Sequence, residues 1–179
     1  MTQGKSPRSV AIGVQSFEKL RERDAFMIDK TAFIREWWEG GDDIALITRP
    51  RRFGKTLNMN MVECFFSNKY VGRSDLFDGL HIWQDEAYRT LQGTYPVISL
   101  TFSSIKPDTF EKMRLSICRL LGDVANRYRF LVESDVMSEA DIAAFHGIRK
   151  EMDDDAAAQA LHHLCDYLER FYGKKVIIL

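Results

Sequence analysis

The most constraining feature of the sequence is one stretch of 14 residues. Ile44-Ala45-Leu46-Ile47-Thr48 is an apolar run, Arg49-Pro50-Arg51-Arg52-Phe53 a short basic loop, and Gly54-Lys55-Thr56-Leu57 opens an amphipathic segment. A strand, a turn and a helix start in that order form a phosphate-binding loop. A helix start presents unpaired N–H groups and a partial positive charge. Gly54 allows the backbone to close on an anion, Lys55 reaches outer phosphates, and Thr56 offers its hydroxyl to a phosphate-bound Mg²⁺. The general pattern places a glycine five positions before Gly54, where this chain has Arg49. Arg51 and Arg52 have two open readings. One sets a guanidinium against phosphate oxygens; the other pairs it with Asp42, Asp43 or a downstream acid.

The remaining chain bounds what this loop can serve. Its 179 residues suit one domain, and 45% apolar with 28% charged residues suits a soluble globular chain. With a net charge of −1, any polyanion contact must come from a local patch, here Arg49, Arg51, Arg52 and Lys55. Cys64, Cys118 and Cys165 show no metal-ligand spacing and fall within expected helices, which favours reduced core thiols and the cytoplasm. No apolar run reaches membrane-spanning length, so no membrane association is expected.

In chain order, residues 1–9 are expected to be a disordered tail. Ser16 caps a short helix, and Phe26–Ile28 is extended. Asp29 sits at the N-cap of a helix running to about Glu39, which Gly40-Gly41 ends. A helix over Lys55 to Ser67 carries Leu57, Met61, Val62, Phe65 and Phe66 on one face. Residues 68–94 are hard to read, with Leu76, Phe77, Leu80 and Ile82 as core candidates and a turn or two of helix over Glu86–Leu91. Val97–Phe102 reads as a strand. Asp108 caps a long helix bearing Phe110, Met113, Ile117, Leu120, Leu121, Val124, Tyr128 and Leu131, Ser138 caps another, and Asp153–Asp155 precede a third that stops at Gly173. Val176–Leu179 starts a buried strand. The adjacent His162 and His163 point about 100° apart on a helix and cannot share a metal, and the triple Asp reads as helix-dipole compensation.

Leu46 through Leu57, with Ile12-Gly13, Phe17 to Arg21, Ile28 to Thr31 and the closing Val176 to Leu179, resembles the bacterial and archaeal family called AAA-ATPase-like. That family accepts Arg in place of the first loop glycine. The resemblance implies an α/β fold, a P-loop NTPase-type parallel sheet flanked by helices. It implies an incomplete one, since the chain ends at the Walker B strand before the Walker B acids. Residues 10–179 would be the N-terminal part of a P-loop ATPase domain. Relatives commonly continue into a PD-(D/E)xK nuclease-like domain, so nucleic acid is a partner through downstream domains. The strand that usually lies between the Walker A and Walker B strands would be missing, leaving a place for a partner chain or for self-association. The implied ligands are ATP and Mg²⁺. The expected binding residues are Arg49, Arg51, Arg52, Phe53, Gly54, Lys55, Thr56 and Leu57, with Thr56 at the metal. Segments Phe17–Leu20 and Ile28–Thr31 either shape an adenine pocket or simply pack. Two other readings share the loop: a non-catalytic module that binds nucleic acid or an acidic partner, and a small-molecule kinase.

Overall fold

The computed structural model describes residues 9–10, 13–50 and 52–179. Residues 1–8 of the expected tail over 1–9, Ile12 of the family resemblance and Arg51 of the loop lie outside the described residues, and the carbonyl of Ser9, the last residue of that tail, accepts from the Phe26 N–H at 2.9 Å. The described chain is α/β, mostly helical with one small parallel sheet. It falls into two compact units, Met1–Thr94 and Tyr95–Leu179.

The first unit is built on three helices, α1 (Phe17–Glu22), α2 (Ala32–Gly40) and α3 (Lys55–Phe66), with short 3₁₀ turns and α4 (Glu86–Leu91) after them. Ser16 caps α1 as expected, its hydroxyl accepting from the Lys19 N–H at 3.2 Å. Met61, Val62, Cys64, Phe65 and Phe66 put the buried face of α3 at the centre. Aromatic rings interlock around it: Phe65 meets Phe77 at 5.2 Å and Phe66 at 5.0 Å, Phe17 meets Phe77 at 5.3 Å, and Trp38 stacks on Phe66 at 5.1 Å. Such pairs add about 0.5–1.5 kcal/mol each beyond their buried area. The hard-to-read stretch supplies Leu76, Phe77, Leu80 and Ile82 to this core, all buried as expected. Asn60 ties α1 to α3, because its Oδ1 accepts from the Phe17 N–H at 2.7 Å. Burial pushes the Cys64 thiol up to about 12, which makes it an inert core group.

Two expectations in this unit need correction. Ile44–Thr48 is not a strand. Residues 44–50 have no regular structure and pair with no described segment, and Ile44 and Leu46 are 89% and 85% exposed. An apolar run becomes a strand only when a partner supplies its ladder hydrogen bonds. Asp29 is not the N-cap of α2 either; Thr31 holds that position. The Asp29 carboxylate instead accepts from the Thr31 N–H and hydroxyl at 2.8 and 2.7 Å and from the His81 N–H at 2.7 Å. Thr31 Oγ1 in turn accepts from the buried Ile82 N–H at 3.1 Å.

The second unit holds β1 (Val97–Ile98), α5 (Phe110–Arg127), α6 (Glu139–Gly147), α7 (Asp154–Tyr172) and β2 (Ile177–Ile178). The two strands pair in parallel, Val97 opposite Ile177 and Ile98 opposite Ile178. Backbone bonds extend the pairing by a residue on each side, Ile177 N–H to Pro96 C=O at 3.0 Å and Leu100 N–H to Leu179 C=O at 2.8 Å. Of the expected strand over Val97–Phe102, Val97–Ile98 is strand. Cys118, Leu121, Val124, Leu131, Phe145, Leu164, Tyr167 and Leu168 form the core. Thr109, not Asp108, caps α5, accepting from the Lys112 N–H at 3.3 Å, while Asp108 pairs with the Lys112 ammonium. Phe110 and Met113, expected on the buried face, are exposed. Ser138 and Asp141 form a complete capping box on α6, and Asp153 caps α7.

Candidate functional site

The loop from Arg49 to Leu57 leads into α3, and its turn is set by two left-handed residues. Arg52 has φ +69° and Gly54 φ +76°. A side chain with a Cβ adopts that region at a cost of roughly 1–2 kcal/mol, so Gly54 is the residue the bend calls for. Gly54 is the N-cap of α3, and its carbonyl accepts from the Asn58 N–H at 2.8 Å. Having no side chain, it cannot cap the helix, and no other described side chain does so. The N–H groups of the first turn, at Lys55, Thr56 and Leu57, therefore have no side-chain acceptor among the described residues. They carry the positive end of the helix dipole.

Lys55 is the first helical residue. Its ammonium folds back over the loop and donates to the carbonyls of Arg49 and, at 3.2 Å, Pro50. Both partners are neutral carbonyl oxygens, which bind an ammonium less strongly than an anionic oxygen does. A second cation stands nearby. The Lys30 Nζ is 3.8 Å from where a Cβ on Gly54 would lie. Lys30 is held there by its neighbours, since Asp29 and Thr31 are tied to the 81–82 backbone. Burial opposes ionisation of Asp29, but the Thr31 and His81 N–H groups outweigh it and hold the carboxyl below its ordinary range.

Arg49, Phe53 and Lys55 line a cavity of about 700 Å³, together with Leu46, Thr48, Asn58 and the start of α2. That volume suits a small-molecule ligand. Of the expected site residues, the structure brings Arg49, Phe53 and Lys55 to this wall. Arg52, Gly54, Thr56 and Leu57 shape the bend and the helix start beside it. Thr56 is exposed, with its hydroxyl free of any described partner. Of the two upstream segments, Ile28–Thr31 reaches the cavity through Lys30, which lines it. Phe17 and Leu20 are core residues, buried against α3 and the 74–77 turn. Sequence reasoning offered Lys30 only within the Ile28–Thr31 segment and did not single out Phe33, Glu36 or Asn58 for the site. Their positions on the wall depend on non-local contacts, and only the Ile28–Thr31 resemblance pointed towards them.

A model of the family described as Predicted AAA-ATPase matches residues 11–179. The chain belongs to that family. An uncharacterized protein in the vnfD 5′ region of Azotobacter chroococcum mcd 1 is 38% identical over 78 residues, 43% of this chain. The aligned stretch spans only 14% of that relative's length. No solved structure matches. Membership of a predicted AAA-ATPase family supports nucleotide binding in general, with the Mg²⁺ that nucleotides carry. No helix among the described residues is long and apolar enough to cross a membrane.

Proposed function

We propose that the chain binds Mg²⁺–ATP through residues 49–57, as the N-terminal part of an AAA-like ATPase, with Lys30 as a second phosphate cation. One observation carries this reading. A left-handed glycine opens an uncapped helix beside the Lys30 ammonium, and Lys30 and Lys55 line one cavity there. Lys55 exchanges its loop carbonyls for the outer phosphates, and the amides of Lys55, Thr56 and Leu57 add neutral donors. Thr56, exposed at the same helix start, is the residue that would hold Mg²⁺, which supplies charge neutralisation at the phosphates. Arg49 lines the cavity and offers a guanidinium to the same group.

The family match stands behind the nucleotide, and the loop geometry behind the place. The loop gathers cations and N–H donors, which hold phosphate; hydrolysis would further need a carboxylate that orients water. Calorimetric titration of Mg²⁺–ATP tests the reading. Lys55→Ala should weaken binding by about tenfold or more and Lys30→Ala by a smaller factor, as lost charge-assisted contacts do. Equal affinity in the parent chain and Lys55→Ala would remove the loop from the account.

A further inference from the structure

The second unit contains another cavity, of about 440 Å³, between the outer face of α5 and the end of α6. Its wall carries Arg119, Arg129, Arg149 and Lys150 against a single carboxylate, Asp123. The chain as a whole has a net charge of −1, so this is a strong local reversal. None of the four cations has an ion-pair partner among the described residues. Two other guanidiniums of this unit do have partners: Arg114 pairs with Asp154, and Arg170 with Asp141 at 3.0 Å and Asp166 at 2.8 Å.

The backbone beneath the wall is fixed by packing, while the four cationic side chains are exposed. Gly122 is buried, and a Cβ there would lie 3.4 Å from the Arg149 Cα and 3.6 Å from the Lys150 N. The α5 backbone therefore seats directly on the 149–150 segment. Arg119 stands one helical turn before Gly122, so it faces the same space as Arg149. Phe145 and Ile148, both buried, give the cavity an apolar floor. The carboxyl end of α6 brings a partial negative charge of about half a unit, too small to offset four cations.

We propose that this cavity binds a small anion bearing two or more phosphates. Three guanidiniums present paired N–H donors that match phosphate oxygens, and Lys150 adds a point charge. The half-open cavity of about 440 Å³ falls in the small-molecule range and favours a compact ligand over a nucleic-acid backbone, which would need a continuing basic track. The site is independent of the Lys55 loop.

Calorimetry with sodium tripolyphosphate tests it on the full chain carrying Lys30→Ala, Arg49→Ala, Arg51→Ala, Arg52→Ala and Lys55→Ala, which takes the loop cations out of the signal. One tripolyphosphate per chain is expected to bind. Adding Arg119→Ala with Arg149→Ala should weaken it by about tenfold or more, Arg149→Lys should retain most of the affinity, and Asp123→Asn should tighten it a few-fold. No binding, or binding indifferent to the arginine pair, would show a merely solvated basic face and overturn the proposal. So would tighter binding of a 20-nucleotide single strand than of tripolyphosphate through the same arginines. If the double variant does not fold, Asp123→Asn decides: unchanged or weaker binding overturns the site.

Discussion

Gly54 carries more of the account than any other single residue. Its φ of +76° sets the bend, and the space around it is open enough that a methyl group meets nothing closer than the Lys30 ammonium at 3.8 Å. Gly54→Ala therefore acts through backbone strain rather than through a clash. It should lower the unfolding free energy by about 1–2 kcal/mol, read as a shift of the urea midpoint. Nucleotide affinity should fall with it, since relaxing the bend turns the α3 amides. A variant as stable as the parent would show that the left-handed turn is not adopted in solution. At this scale the sequence was informative for the bend at Gly54 and the Ser16 and Ser138 caps, because each acts within one turn of chain. It was uninformative for Lys30, whose place beside Gly54 depends on Asp29 and Thr31 anchoring to the 81–82 backbone.

Elements were legible where a helix repeats its own pattern and illegible where a strand depends on a partner. The period of α3 predicted most of its buried face, and those of α5 and α7 only part of theirs. At the start of α5 the pattern overreached, since Phe110 and Met113 continue the apolar spacing beyond the neighbours that would cover them. Ile44–Thr48 has the composition of a strand but no ladder among the described residues. Replacing Leu46 by Ser should therefore change stability by no more than about 0.5 kcal/mol, whereas Phe65→Ala, in the fully buried ring cluster, should cost about 3–5 kcal/mol. Chemical denaturation of the two variants separates these outcomes, and a large loss for Leu46→Ser would mean that the segment is packed.

The tie between α6 and α7 has its own pH signature. The Arg170 guanidinium, then the Ser138 N–H and hydroxyl, hold the Asp141 carboxyl well below the usual range. A carboxyl depressed in the folded state contributes stability above its unfolded value of about 3.9, and that contribution disappears as the pH falls towards the folded value. The gap in urea midpoint between the parent chain and Asp141→Asn should be constant near pH 6 and close as the pH drops below about 4. A gap that persists unchanged at pH 2 would contradict the ion pair's role.

At the scale of the whole molecule, the α/β class and the family were legible from a few short segments spread along the chain. The division into two compact units, each with its own core, was not. It depends on which helical faces meet, and periodicity says only that a face is buried, not against what. The first unit presents the loop, the two lysines and the cavity, and the family match extends across both units. The central claim is that the α3 amides and the two ammoniums surround a polyphosphate. Amide-resolved NMR of the full chain during a Mg²⁺–ATP titration tests it most directly. The largest shifts should fall on Gly54 to Asn58, with Lys30 moving in step and the response lost in Lys55→Ala; shifts that leave Gly54 to Asn58 still while residues elsewhere move would contradict it.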